Sequence, residues 1–321
     1  MTTKYSYRRL LAVSFVALGL LGVVTFGGCG GGVQDPTEVA LKPNKEEPAG
    51  GKGSGNGNGG GTQNGSATTP TEGYGSITGK IVLAPGDSVP APGVRIAKGA
   101  APVNPEFCAA NKLIPDDSLV VNADNRGVAN VFIYLSKNPT GGKETTASVA
   151  ERPTIFDQIN CIFVPHAMVM TTGKEITVKS QDPVPHNVHT LPLRSDAFNQ
   201  VIDPTNKEGI PLTYNKPESV PCNVVCDFHK WMKAYHLPLD HPYAAVTDAD
   251  GKFTISDLPS GTHQFVIWHE GKGYLERKYE VTVSADETND VGEIPFGLNR
   301  FAQGEFRGPK PRVVNISLVQ K

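Results

Sequence analysis

The chain has 321 residues, long enough for two domains of ordinary size with a core in each. Thirty basic residues stand against 32 acidic ones, a formal net charge of −2, so the charge balance gives no reason to expect nucleic acid as a partner. With 35 Gly and 26 Pro, the composition points to turns, linkers and strands more than to helices.

Residues 1–29 read as an export signal. Lys4, Arg8 and Arg9 form a basic start, "LLAVSFVALGLLGVVTF" is the apolar stretch, and "GGCGGG" follows at once. The stretch is marginal for a membrane-spanning anchor and ends in small residues before a cysteine. It resembles the lipobox of bacterial lipoproteins, with Cys29 as the acylated residue, although Phe26 is bulkier than the usual Leu. The resemblance implies a chain held in the cell envelope by its N-terminal lipid, periplasmic or surface-facing, where disulfides can form. Residues 30–74, rich in Gly, Ser and Asn, bury too little to order themselves and are expected to act as a flexible tether.

Residues 75–240 are expected to form one β-sandwich. "GSITGKIVL", "GVANVFIYL", "TIFDQINCIFVPHAMVM" and "KEITVKS" are β-branched or alternating runs cut by Gly, Pro, Asn and Asp, and no long stretch holds a helical period. A smaller unit is expected over residues 241–298, where "TDADGKF" and "LPSGTHQF" read as tight turns between alternating strands. Asp248 and Asp250 lack the further acidic ligands of a calcium loop, so a hairpin turn is favoured there. This unit resembles the transthyretin-like, carboxypeptidase regulatory-like modules that accompany rhamnogalacturonan lyases. The resemblance implies a non-catalytic role in packing or binding, with carbohydrate as one contact. Residues 299–321 form a tail with room for a last strand.

Chemistry concentrates in two segments. "SQDPVPHNVHTLPL" carries His186 and His189, whose spacing of three keeps them off a common strand face. His186 follows Pro185 after the "KEITVKS" strand, where a loop can aim its ring inward. "CNVVCDFHKWM" carries Cys222, Cys226, His229 and Met232. A redox copper ion favours one thiolate, two imidazoles and a weak thioether, and His186, Cys226, His229 and Met232 supply that set. With two residues between successive ligands, a tight loop between strands can turn Cys226, His229 and Met232 toward one point.

"PHNVH" with Cys226-x-x-His229-x-x-Met232 resembles the cupredoxins, particularly those of the amicyanin and plastocyanin type. The resemblance implies an all-β chain with a cupredoxin-like Greek-key sandwich beside a smaller Ig/transthyretin-like one. It implies a mononuclear type 1 copper used in single-electron transfer with a redox partner protein. His186 and His229 would be the imidazole ligands, Cys226 the thiolate and Met232 the axial ligand. Asn187 would hydrogen-bond across to the cysteine loop, and His229 would offer its edge to the partner.

Cys222 has no place in that pattern. Paired with Cys226 it resembles the binuclear copper A loop of cytochrome oxidase subunit II, but that loop has one more residue between its second cysteine and histidine, so a mononuclear site is favoured. A Cys108–Cys161 disulfide with Cys222 free near the site is preferred, and a Cys222–Cys161 bridge is the rival. His166 with Met168 and Met170 is read as an alternating strand face rather than a copper-loading patch. His236, His241, His263 and His269 are expected at surfaces or turns. Trp231 is either a packing residue beside the site or a partner contact. No nucleophile, acid–base pair or substrate pocket is legible, so enzymatic activity is not expected. The rival function is a metal-free structural or carbohydrate-binding surface protein, and copper storage shares the same ligands.

Overall fold

The computed structural model describes residues 72–144, 149 and 151–301. The export signal, Cys29, most of the tether and the tail beyond residue 301 lie outside the described residues. Among the described residues no helix is long and apolar enough to cross a membrane.

The described chain is almost entirely β. In chain order the strands are β1 (Tyr74–Leu83), β2 (Gly93–Ile96), β3 (Ile114–Asp116), β4 (Phe132–Leu135), β5 (Ile155–Ile159) and β6 (Ile162–Val164). There follow β7 (Ala167–Thr171), β8 (Glu175–Val178), β9 (His186–Leu191), β10 (Asn199–Ile202), β11 (Ile210–Thr213) and β12 (Cys222–Val225). The last six are β13 (Lys233–Leu239), β14 (Ala244–Val246), β15 (Lys252–Pro259), β16 (Gly261–His269), β17 (Gly273–Val283) and β18 (Thr288–Phe296). A single 3-10 turn, Leu298–Arg300, ends the described part of the expected tail.

Two sandwiches result. In the first, a sheet ordered β10-β9-β12-β13-β7 faces a sheet ordered β11-β8-β5-β6. Alternate residues of the facing strands, among them Phe156, Val178, Val188, Val224 and Ala234, fill the core between them. In the second, β15-β1-β18 faces β14-β4-β16-β17 around Ile77, Ile81, Ile133, Ile255, Phe265 and Ile267.

The expected boundary between the units at residues 240 and 241 is corrected by the pairing. β1 lies between β15, antiparallel, and β18, parallel, while β4 lies between β14 and β16. Two strands read as part of the first sandwich are therefore central strands of the second, which residues 241–298 cannot complete alone. "LPSGTHQF" is likewise not a hairpin, because β15 and β16 belong to opposite sheets and the chain crosses between them at Ser260. Gly251 shows how closely β1 is held. Its φ is +78°, and a Cβ there would lie 2.3 Å from the carbonyl oxygen of Ile81. The Asp248 turn is tight but is not the expected hairpin either, because β14 and β15 also belong to opposite sheets: Asp248 accepts from the N–H groups of Asp250 and Lys252, and Asp250 accepts from the side chains of Asn122 and Asn125.

A third apolar cluster joins the sandwiches. β7 and β13 are buried on both faces, so Met168 and Met170 point into the first core while Ala167 and Val169 point the other way. The outward set, with Tyr235, Leu237 and Leu239, packs on Phe132, Tyr134, Val266 and Trp268 of the second sandwich. Trp268 meets Phe132 edge-on and lies against Tyr235, with ring centroids 5.7 and 5.3 Å apart.

The expectation of surface histidines is overturned: His236 is wholly buried against Phe156 and Tyr214 of the first core, and His241 and His269, 2% and 1% exposed, lie against Tyr243 and Phe301 of the second. Burial pushes their pKa values down, to about 3 for His236 and to about 4 for His241 and His269, where Asp240 and Glu270 oppose it only in part. His166 stands just before β7 and pairs with Glu270 of the second sandwich.

Candidate metal centre

His186 is the first residue of β9 rather than a loop residue, and its ring enters the core. Cys226 follows β12 and Met232 precedes β13, so Cys226 to Met232 is the connection between two antiparallel neighbours. The loop closes on itself. The N–H of Met232 donates to the His229 carbonyl at 2.8 Å, and the N–H of Cys226 donates to the Met232 carbonyl at 3.4 Å.

Asn187 ties that loop to β9 as expected for a residue beside the first ligand. Its Oδ1 accepts from the Asp227 N–H at 2.6 Å, and its Nδ2 donates to the Asp227 carboxylate at 2.8 Å. A second bond from Nδ2 reaches Asn199 on β10 at 2.8 Å. Three neighbouring segments are thus pinned at one point, which restricts the positions open to Cys226 and His229.

The structure brings His186, Cys226 and His229 together, with ligand atoms all within 4.8 Å of one another. Nδ1 of His186 lies 2.9 Å from Nδ1 of His229, which in turn lies 3.7 Å from Sγ of Cys226. All three residues are buried, as is Met232, which lies in the same core cluster as Cys226.

The outer nitrogens decide what the inner ones can do. Nε2 of His186 is 2.8 Å from Oδ2 of Asp182, and Nε2 of His229 is 3.0 Å from Oδ1 of Asn104. Both partners are acceptors, so each Nε2 carries the hydrogen and each neutral ring turns a lone pair inward at Nδ1. Two imidazole lone pairs and a thiol sulfur therefore converge in a dry pocket that only a proton or a cation can reconcile.

The proton balance reflects this convergence. Burial pushes the Cys226 thiol up, but a proton taken up at the inner nitrogens of His186 and His229 can be donated to the sulfur, which outweighs burial and brings the pKa down to about 6. Burial opposes the charge on His186, yet its bonds to Asp182 and Cys226 hold its pKa above the ordinary value.

Two residues of the centre, Asp182 and Asn104, were not singled out in the sequence. Asp182 accepts the N–H groups of Asn160 and Cys161 at 2.6 and 2.8 Å in addition to the His186 ring. Its place four residues before His186 was the only available signal. Asn104 lies 125 positions from His229, a separation that leaves no local signal. Trp231 packs beside the site: its ring meets His229 edge-on at 5.0 Å and its Nε1 donates to the Cys161 carbonyl at 3.0 Å.

Two expectations are corrected. Cys222 is not near the site: it begins β12, and a strand rise of about 3.3 Å per residue sets it roughly 13 Å from Cys226. Cys222 instead lies against Tyr214, whose hydroxyl is 3.7 Å away, and burial pushes its thiol up to about 11. Cys226 accordingly groups with His186 and His229 and not with Cys222, and a Cys222–Cys161 bridge is ruled out, since Cys161 is joined to Cys108.

His229, expected to present its edge to solvent, is fully buried. The segment over residues 97–113 covers it, with Asn104 on its ring nitrogen and the Cys108–Cys161 disulfide alongside. The exposed apolar residue of the ligand loop is its neighbour Phe228, 43% exposed.

The fold and the site together define an all-β protein of two packed sandwiches with a buried two-imidazole, one-thiol cluster at a strand–loop–strand corner. No family model and no curated protein matches the chain. Among solved structures it is similar to a Cu-containing nitrite reductase (NirK) from Thermus scotoductus SA-01, at 14% identity over 30% of this chain and 27% of that one, with a TM-score of 0.25. It is similar to an oxidized proline-to-glycine mutant of amicyanin at 18% identity over 32% of this chain and 96% of that one, with a TM-score of 0.24. For a reduced proline-to-phenylalanine mutant of amicyanin the identity is 20% over 30% and 93% of the two chains, with a TM-score of 0.23.

Proposed function

We propose that the chain is an envelope-anchored, copper-binding electron carrier of the cupredoxin type. His186, Cys226 and His229 would hold a single copper ion, and Met232 would be its weak axial ligand. The observation that carries this reading is the convergence of two Nδ1 lone pairs and the Cys226 sulfur, with both Nε2 atoms already engaged. The donor set fits copper better than a hard cation, because imidazole and thiolate suit both of its oxidation states.

When bound, copper would supply one-electron redox chemistry. The chain's own residues hold the geometry. Asp182 fixes the His186 tautomer, Asn104 fixes that of His229, and Asn187 locks the ligand loop to β9. Burial of all the donors excludes water, so little rearrangement accompanies a change of charge. With His229 covered, a redox partner protein would meet the ligand loop at Phe228. The lipid at Cys29 would hold the protein at the membrane surface, and the second sandwich would serve packing or carbohydrate contact.

The test is to add copper to the full chain and record metal stoichiometry, the visible spectrum and the electron paramagnetic resonance signal. One ion with a thiolate-to-copper band is expected, lost in Cys226→Ala and kept in Cys222→Ala. Absence of bound copper, or a band that survives Cys226→Ala, would defeat the proposal.

A further inference from the structure

The inner donors are closed off from solvent. His186 and His229 are 0% exposed and Cys226 is 1% exposed, so a wall of the pocket must move to admit an ion. β9 and β12 are internal strands of a five-stranded sheet, and the ligand loop is pinned to β9 through Asn187 and Asp227. The wall that can move as a unit is the segment over residues 97–113, which stands on the His229 ring.

That segment is a loop closed at its neck. It joins β2 to β3, and these strands pair antiparallel, with Gly93 opposite Asp116 and Ile96 opposite Ile114, reinforced by the Arg95–Asp116 ion pair at 2.6 Å. A connection of this length is longer than most in compact domains and is of the kind that serves as a lid. Its backbone bonds turn in on the segment itself: Gly99 donates to the Ala109 carbonyl, and Phe107 and Cys108 both donate to the Asn104 carbonyl. Among the described residues it shares no strand ladder with the body of the sandwich. It meets that body through the packing of Ala101, Phe107 and Ala109, the Asn104–His229 bond and the Cys108–Cys161 disulfide. Ala109, beside Cys108, has φ of 56°, a left-handed conformation that a Cβ disfavours and that neighbouring contacts must impose. Most of the segment is exposed, and a stretch with few buried contacts belongs to the part of a fold that opens locally.

We propose that residues 97–113 are a lid over the inner donors, hinged at the β2–β3 neck and latched by the Cys108–Cys161 disulfide, which closes behind the metal. The metal itself rests on the copper reading above. With both cysteines as thiols, the Asn104 bond and the apolar packing alone hold the lid, so it opens and an ion reaches His229 and Cys226. Closure is thiol–disulfide exchange with an external disulfide: one cysteine thiolate attacks it, and the second cysteine resolves the mixed disulfide. Two electrons and two protons pass from the cysteines to the external disulfide, which leaves as two thiols. In the closed form both sulfurs belong to residues that are 0% exposed, out of reach of solvent thiols, so the metal enters first and the bond follows.

The test compares the oxidised full chain with the double variant Cys108→Ser, Cys161→Ser, both metal-free and both checked for folding by circular dichroism. A thiol reagent is applied, and each cysteine is followed by peptide mass spectrometry. Cys226 should be labelled at least about tenfold faster in the variant, while Cys222, buried in the same core cluster, stays protected in both. A second measurement needs no variant: the parent is refolded from its reduced form, and Cu(I) is added before or after oxidised glutathione. Uptake should be at least about tenfold slower when the oxidant comes first. Equal labelling of Cys226 in the two forms overturns the lid, and so does a joint rise of Cys222 and Cys226, which marks loosening of the whole core. Equal uptake in the two orders of addition overturns the latch. A chain that binds no copper in either order, yet shows the labelling change, defeats the copper reading and supports the lid.

Discussion

Asp182→Asn tests the logic of the centre with the smallest change in shape. The carboxylate is 2% exposed and accepts three hydrogen bonds, from the N–H groups of Asn160 and Cys161 and from the His186 ring. An asparagine retains one acceptor oxygen and turns an NH2 group toward a donor, leaving at least one buried N–H unpaired. A hydrogen bond to a charged group contributes about 1.5–3 kcal/mol, and a buried unpaired donor costs about 1–3 kcal/mol. A loss of about 3 kcal/mol is therefore expected in denaturant unfolding of the metal-free chain. The Cys226 thiol should also titrate at higher pH, because His186 without its carboxylate is a poorer cation to face the thiolate. Stability within about 0.5 kcal/mol of the parent, together with an unmoved Cys226 titration, would refute this account, since surface changes alone lie in that range.

Other consequences follow from the same structure. In the metal-free chain the ultraviolet absorbance of the Cys226 thiolate should appear near pH 6 rather than near the ordinary thiol value of 9.0. Because the folded value is the lower one, this thiolate stabilises the fold fully above pH 9, and that contribution is lost as pH falls toward 6, by no more than about 4 kcal/mol. His186 acts with the opposite sign: its raised pKa stabilises below the ordinary 6.5 and fades as pH rises through the folded value. Trp268→Ala should cost about 3–5 kcal/mol and raise protease sensitivity between the sandwiches, since it empties the centre of the third core; an unchanged digestion pattern would argue against a packed junction. Gly251→Ala should destabilise by more than about 1 kcal/mol in thermal or denaturant unfolding, because its positive φ and the Ile81 carbonyl both oppose a Cβ.

Much of the site was legible in sequence because its residues are close along the chain. The spacing of Cys226, His229 and Met232 places them in one turn between strands, and Asn187 stands beside the first imidazole, so local geometry carries most of the pattern. The all-β character was legible for a similar reason, since β-branched runs cut by Gly and Pro report local preference.

What the sequence by itself determined is therefore chemical type and local period: strands, turns, and a soft donor set of two imidazoles, one thiol and one thioether. Only the tertiary structure decided which strands pair. "GSITGKIVL" has the same alternation whichever sheet receives it, and its place between β15 and β18 depends on partners far along the chain. Only the tertiary structure removed Cys222 from the centre, because a strand carries two cysteines four residues apart to points far from each other. It also buried His229 beneath a segment that contacts it across 125 positions of sequence. Pairing and covering are contacts between distant parts of the chain, and their energies depend on what each surface meets in the folded molecule.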